Sequence, residues 1–335
     1  MQAYLDRIEV PREEAQVPSL ELLQRLQLAH LLHIPFDTTS LHVPEGELRS
    51  PPHLSPRSQH GGLTNRGAGI LTDDWYGDES KTVTIHAPGA RTMLLGDGAL
   101  DRLTRLRRGG YCFSTNAPFA RLLRALGFRV TELSGKVYKF LGDHDPNEKG
   151  WAWGPTSHET LVVDCDGRRY FVDVGFGGGQ PTAPIELRDG ASNVSPLSED
   201  EHMLRHEVLP GHDAAHAHDL AKGWTLYRRV KSTDVWTPMH HSLPLAISPQ
   251  DFVVLNHYNA THPDAVFVSC LVVTLLLPDG RRRTLMAGTK TSSGESIGQG
   301  AQLQETGRDR VAIPMETHAL RTVLERDFGF CFPPR

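Results

Sequence analysis

The chain changes its periodicity once, near Phe128, and that change constrains its fold more than any other feature. Before it, apolar residues recur at helical spacing. Leu20, Leu22, Leu23, Leu26, Leu28, Leu31 and Leu32 follow Ser19 and precede Pro35, which predicts a helix over about 19–33. Leu95 to Leu106 forms a second amphipathic stretch, and Phe119, Leu122, Leu123 and Leu126 share one face of a third helix that Gly127 ends. After Phe128, short runs rich in Val, Thr and Tyr alternate with turn residues: Arg129 to Phe140, Glu159 to Asp164, Arg169 to Val174, Trp224 to Val230 and Val235 to Thr237. Asp166-Gly167 is a hairpin turn between two of them, and Pro278-Asp279-Gly280 joins Phe267–Leu277 to Arg281–Met286 in another. Val311 to Asp327 reads as a closing helix ended by Gly329. The Pro-, Gly-, Ser- and His-rich span 49–79 reads as an irregular excursion, and Gly190 to Ala221 as a polar loop. Helices first and strands second favour an α+β fold over a doubly wound sheet.

Composition narrows the function classes without choosing among them. A length of 335 residues accommodates two or three domains. With 39% hydrophobic and 22% charged residues the chain is of soluble globular type. Its longest apolar run, Leu271 to Leu277, is too short for a membrane-spanning helix. A net charge of −5 argues against a generic nucleic-acid binder. Four cysteines are too few for a disulfide scaffold. The first residues lack a basic segment followed by an apolar one, so a cytoplasmic location is expected.

The chemistry concentrates around Arg108-Gly-Gly-Tyr-Cys112. Two glycines before a predicted helix permit a tight entry that places Cys112 near the helix N-terminus, where free N–H groups favour an anion. A lowered thiol pKa is expected there, and the same amides suit a developing oxyanion. A thiol nucleophile needs a base, and the base an orienting group. His158 and Asp173 flank the Asp166-Gly167 turn at similar distances, so an antiparallel ladder makes them near neighbours. That pairing separates His158 from the other 17 of 18 histidines.

Arg108-Gly-Gly-Tyr-Cys-Phe-Ser-Thr-Asn116 resembles the cysteine signature of the arylamine N-acetyltransferase family. Further blocks follow in that family's order: Tyr4-Leu-Asp-Arg-Ile8, Ala29-His-Leu-Leu-His-Ile-Pro-Phe-Asp37, Ser157-His158, Tyr170-Phe-Val-Asp-Val-Gly-Phe-Gly-Gly178, Thr261-His-Pro263 and Asp327-Phe-Gly329. The resemblance implies a helical bundle over 1–128 carrying the catalytic cysteine, a β-barrel over 129–240 carrying the histidine and aspartate, and an α/β lid over 241–335, around a cysteine-protease-like core. It implies a Cys112–His158–Asp173 triad, and an acetyl-CoA or other short acyl-CoA co-substrate whose acyl group passes to an arylamine or hydrazine. Phe36 and Phe176 match acceptor-pocket positions, and Gly177 and Thr261 positions near CoA. Arg108, Asp37 and Asn116 match supporting positions. The insertions at 49–79 and 190–221 give the chain a eukaryotic, fungal-like cast.

The chain departs from the family pattern at Asp37-Thr38, where Pro-Phe-Glu-Asn is common, and at Ser114, where Glu or Gln is. Asp37 is expected to pair with Arg108, its shorter arm needing a backbone shift or a bridging water. His212, His216, His218 and the pair His240-His241 read as solvated loop residues, no Cys or carboxylate completing a metal-binding set. No metal, nucleic-acid or membrane partner is expected. Arg281-Arg-Arg283 reads as an exposed strand end, with CoA phosphates as a second reading. Two alternatives stay open: a cysteine hydrolase or transglutaminase-like enzyme, and a catalytically silent CoA-binding homologue.

Overall fold

The computed structural model describes residues 1–42, 95–139, 145–198, 200–211, 221–231, 234–288 and 300–332. The excursion at 49–79 lies outside them, as do His212, His216 and His218. The N-terminal helices are α1 (Gln2–Arg7), α2 (Leu20–His33), α3 (Gly96–Thr104) and α4 (Cys112–Ala125). Ser19 Oγ accepts the Leu22 N–H at 3.2 Å and so caps α2. Gly127, at φ +93°, takes the left-handed conformation that ends α4. Leu22, Leu23 and Leu26 of α2 and Phe119, Leu122 and Leu123 of α4 bury their side chains against Leu161, Val163 and Val172. Each such leucine contributes roughly 2 kcal/mol by leaving water, and together they fix the helices to the sheet behind them.

That sheet has eight strands in the order β5-β4-β3-β2-β9-β8-β7-β6. The strands are β2 (Arg129–Tyr138), β3 (Trp153–Cys165), β4 (Arg168–Val172), β5 (Ile185–Glu186), β6 (Ser192–Val194), β7 (Glu201–Glu207), β8 (Gly223–Arg229) and β9 (Thr237–Ala246), with a short α5 (Pro146–Lys149) between β2 and β3. Edge strands β5 and β6 approach each other, so the sheet is a nearly closed barrel. Asp166 (φ +50°) and Gly167 (φ +74°) form the two-residue turn between β3 and β4, which sets the register Leu161↔Val172.

A second sheet, ordered β1-β10-β11-β12-β13, collects β1 (Phe36–Asp37), β10 (Cys270–Leu276), β11 (Arg282–Gly288), β12 (Ala301–Glu305) and β13 (Val311–Ile313). Helices α6 (Pro249–Thr261) and α7 (Val266–Ser269) precede it. Helix α8 (Thr317–Phe328) packs on it through Leu320, Val323, Leu324 and Phe328. Strand β1 comes from the N-terminal part, so the second sheet draws together residues far apart in sequence. The fold is α+β. Among the described residues, no helix is long and apolar enough to cross a membrane.

Three sequence expectations fail for identifiable reasons. The span 190–221 contributes β6 and β7, because His202 and Leu204 are the buried alternate positions of β7 and a histidine hides the alternation. Pro314 divides the expected 311–327 helix into β13 and α8. The expected strand at 267–277 begins with α7. Helix α6 escaped the periodicity argument because Val253 and Val254 face outward, although Ser248 and Asp251 form a capping box.

Candidate active site

Cys112 is the first residue of α4, and the segment before it is held from two sides. Phe36 bridges to Gly110 in parallel, which draws β1 against the glycine pair. A Cβ at Gly109 would overlap the Pro35 carbonyl, so only glycine permits this approach. Gly175 meets the helix start from the barrel side, where a Cβ would lie 2.6 Å from Cys112 Cα. The nucleophile candidate is thus wedged between sheet and barrel. It lies on the wall of a cavity of about 660 Å³ that Phe36, His158, Phe176, Gly177 and Phe267 also line.

The thiol itself is only 3% exposed. Burial pushes its pKa up, the backbone N–H groups of Glu159 and Phe113 pull it down, and the negative charges of Glu159 and Asp173 add to the upward push. The net direction is upward, against the lowered pKa expected from the helix terminus. A dipole of this kind is outweighed by complete desolvation. Ionisation therefore needs a cation beside the sulfur, and His158 lines the same cavity as Cys112.

Extending the Leu161↔Val172 register by one pair sets Asp173 opposite Thr160, which makes His158 its diagonal neighbour on the same face. His158 Nε2 and Asp173 Oδ2 are 2.7 Å apart, both buried, which leaves Nδ1 as the ring nitrogen not committed to the carboxylate. The other carboxylate oxygen accepts from Asn116 Nδ2 at 3.0 Å and from the Gly175 N–H at 2.8 Å. Asn116 also donates to the Glu159 carbonyl at 2.6 Å and accepts the Val174 N–H at 2.9 Å, so one side chain ties α4 to both barrel strands. Burial alone would raise the Asp173 pKa, but His158, His240 and Asn116 more than offset it, and the carboxyl is held below its usual range. Phe176 meets the His158 ring edge-on at 5.2 Å.

The expected Asp37–Arg108 pair is replaced. Asp37 Oδ2 lies 2.5 Å from Arg102 of α3, and its carboxylate also accepts the Thr39 and Gly109 N–H groups at 2.7 and 3.3 Å. Burial pushes the Asp37 pKa up, and Arg102, then Arg108, more than reverse it. No backbone shift is needed, because Arg102 reaches across from the helix while Arg108 stacks on Phe330 and Phe332 at 5.1 and 5.0 Å. The short arm of aspartate suits this nearer partner.

A glycine-entry cysteine on the same cavity as a barrel His–Asp dyad fits the arrangement implied by the sequence blocks, and the N-acetyltransferase family model matches residues 88–330 of the chain. The chain belongs to the arylamine N-acetyltransferase family. Over 281 residues it is 28% identical to the arylamine N-acetyltransferase of Mycobacterium tuberculosis, covering 83% of this chain and 75% of that one. To the arylamine N-acetyltransferase / N-hydroxyarylamine O-acetyltransferase of Salmonella typhimurium it is 27% identical over 333 residues, with coverage of 98% and 88%. Among solved structures, the Mycobacterium marinum arylamine N-acetyltransferase in complex with CoA superposes with a TM-score of 0.65 at 24% identity, covering 98% of this chain and 92% of that one. At that identity the likeness is one of fold.

Around this family core, several residues stand elsewhere than expected. Thr261 ends α6 with its hydroxyl donated to the His257 carbonyl at 2.7 Å, and it does not line the cavity. Its neighbours Tyr258 and Asn259 do, and Asn259 Nδ2 donates to the Ser157 carbonyl at 2.8 Å. Cys331 is exposed, while Cys165 and Cys270 are buried. His240 and His241, expected in a solvated loop, are buried on β9, an interior strand of the barrel. His240 Nε2 comes within 3.7 Å of Asp173 Oδ2, and its ring centroid is 5.0 Å from that of His158. Donor atoms of His158, Asp173 and His240 all lie within 4.8 Å of one another, so a carboxylate does complete a two-imidazole set. Within that set, His158 and Asp173 are hydrogen-bonded at 2.7 Å. Glu159 was also missed. Its carboxyl is fully buried, has no hydrogen-bond partner among the described residues, and has its pKa pushed well up, first by burial and then by Glu132 and Asp173.

Buried histidines give the family fold an acid-sensitive component. Burial holds the pKa of His240 down to about 3 and that of His202 down to about 4. Both groups bind protons more readily when unfolded, so their stabilising contribution is complete above the ordinary histidine pKa and is lost as pH falls below it. Between pH 6.5 and 5 each costs up to about 2 kcal/mol. Thermal melts are expected to drop in midpoint on acidification to pH 5, with a shallower slope for His240→Asn. Parallel slopes in the two proteins contradict the assignment.

Proposed function

We propose that the protein transfers an acetyl or other short acyl group from an acyl-CoA to an arylamine or hydrazine, through an S-acyl intermediate on Cys112. The observation that carries this reading is the buried His158–Asp173 pair at 2.7 Å, on the same cavity wall as Cys112. In the first half-reaction His158 Nδ1 takes the thiol proton, the sulfur attacks the thioester carbonyl, and the bond to the CoA sulfur breaks. The departing CoA thiolate recovers the proton from His158. In the second, the amine nitrogen attacks the S-acyl carbon, His158 takes its proton, and the carbon–sulfur bond breaks to return Cys112 and release the amide. One difficult transfer becomes two easier ones.

Asp173 holds the imidazole by Nε2 and favours its cationic form without taking the proton. The cationic form matters here because burial opposes a lone thiolate. Phe36, Phe176 and Phe267 give the cavity an aromatic lining suited to a flat acceptor. Gly177, at φ +87° and packed against the Phe36 ring, leaves room for the donor beside it. Arg108, Asp37 and Asn116 act as supports rather than reacting groups.

A screen of acetyl-, propionyl- and malonyl-CoA against anilines and hydrazines, read as free CoA release, tests the reading. Release beyond one equivalent per enzyme is expected only when both donor and amine are present. Release of ammonia from glutamine instead would support the transglutaminase-like alternative. Thermal stabilisation by CoA with no turnover for any pair contradicts the transferase and leaves the silent homologue.

A further inference from the structure

Three arginines leave the turn at Asp279-Gly280, and only two are neutralised. Arg281 pairs with Asp279 at 2.6 Å and with Glu305. Arg283 pairs with Glu305 at 2.9 Å and with Asp327 at 3.7 Å. Arg282 points to the other face of β11, where no carboxylate among the described residues pairs with it. Its Nη1 donates to the Gly177 carbonyl at 3.3 Å and to Gln180 Oε1 at 3.4 Å. The nearby Asp200 is committed to Arg228, gripping its Nε and Nη2 at 2.9 and 2.8 Å. Asp200 therefore acts on Arg282 only through its field, not as a partner.

Both arginines line the cavity that contains Cys112. Arg282, Thr284 and Met286 alternate along the cavity face of β11, opposite Leu276, Thr274 and Val272 of β10, and Thr274 in turn pairs with Phe36. From the barrel side, the segment that packs Gly175 on Cys112 Cα offers its Gly177 carbonyl to Arg282 two residues later. Arg282 therefore sits a few residues from the nucleophile along both walls. Burial and repulsion from Arg228 hold its pKa down to about 10, which still leaves it charged at neutral pH. A half-buried guanidinium without a paired acid is left uncompensated, and its planar fork matches carboxylate and phosphate oxygens.

We propose that Arg282, backed by Arg228, receives an anionic group of the acyl donor, either a CoA phosphate or the free carboxylate of a dicarboxylic acyl chain. This rests on the acyl-CoA reading of the site. Arg282 would then be a donor-recognition residue, with the loop at 177–180 as its platform.

The test compares Arg282→Gln, Arg282→Lys and wild type in the acylation half-reaction with acetyl-CoA, malonyl-CoA and p-nitrophenyl acetate, an ester with neither phosphate nor carboxylate. For Arg282→Gln, the ratio of kcat/KM for a CoA thioester to that for the ester is expected to fall by about 10- to 100-fold, the size of one charge-assisted hydrogen bond. Arg282→Lys is expected to recover part of it. A fall with both thioesters assigns the phosphates, and a fall with malonyl-CoA alone assigns the acyl carboxylate. A ratio within about twofold of wild type, whether all three donors suffer equally or none does, overturns the proposal. If wild type acylates from no donor, the transferase reading fails by itself. Calorimetric affinity for CoA and malonyl-CoA then carries the test, and equal affinities in wild type and Arg282→Gln overturn the proposal.

Discussion

Cys112→Ala is expected to abolish both acylation and amide formation, with kcat/KM falling by about 10⁴-fold or more, the scale on which removal of a nucleophile acts in other covalent enzymes. The substitution removes one sulfur from a site that is 3% exposed, so the fold should survive with a loss of roughly 1 kcal/mol. Turnover assays alongside thermal melts separate the two effects. A folded variant that keeps more than about a hundredth of wild-type activity would mean that chemistry proceeds without this thiol. Buried Cys270 lines the same cavity, which makes Cys270→Ala the control: it carries no role in the mechanism, and its effect should be confined to packing.

Asp173→Asn is the second large effect. The carboxylate accepts from His158 at 2.7 Å and from Asn116 and Gly175 at 3.0 and 2.8 Å, so an amide in its place must turn a donor toward one of these donors. The imidazole then loses both its tautomer control and the charge that favours its protonated form. Since burial already opposes Cys112 ionisation, the nucleophile suffers with the base. In a triad of this logic the corresponding change lowers kcat by about 10³- to 10⁴-fold, and a loss of that order is expected in kcat with a smaller change in KM. Acylation rates across pH check it. A variant that lost acyl-donor affinity while keeping kcat would assign Asp173 to binding instead.

The His158–Asp173 pair was legible in the sequence because its geometry is local. A strong turn at Asp166-Gly167 fixes a ladder register, and register fixes which side chains share a face. Asn116 was legible only through the family signature, since its hydrogen bonds run to strands some forty to sixty residues away. Asp37 was identified and its partner was not. Two buried arginines act on its carboxylate; Arg102 makes the 2.5 Å contact, while Arg108 lies over Phe330 and Phe332 from the far end of the chain. His240 was misread because a His-His pair beside a polar span has the composition of a loop. Only the barrel order, with β9 between β2 and β8, shows that both faces of that strand are covered. Arg282 was legible as part of a basic run, but alternation along β11 decides that it alone faces the cavity.

The central claim is covalent passage through one cysteine, and peptide mass mapping after incubation with acetyl-CoA in the absence of amine tests it most directly. The account predicts one added acetyl group on the peptide that contains Cys112, none on those containing Cys165, Cys270 or the exposed Cys331, and its disappearance when an aniline is added. An acyl group found on another residue, or amide formed from wild type with no acylated Cys112 at any time, would contradict it.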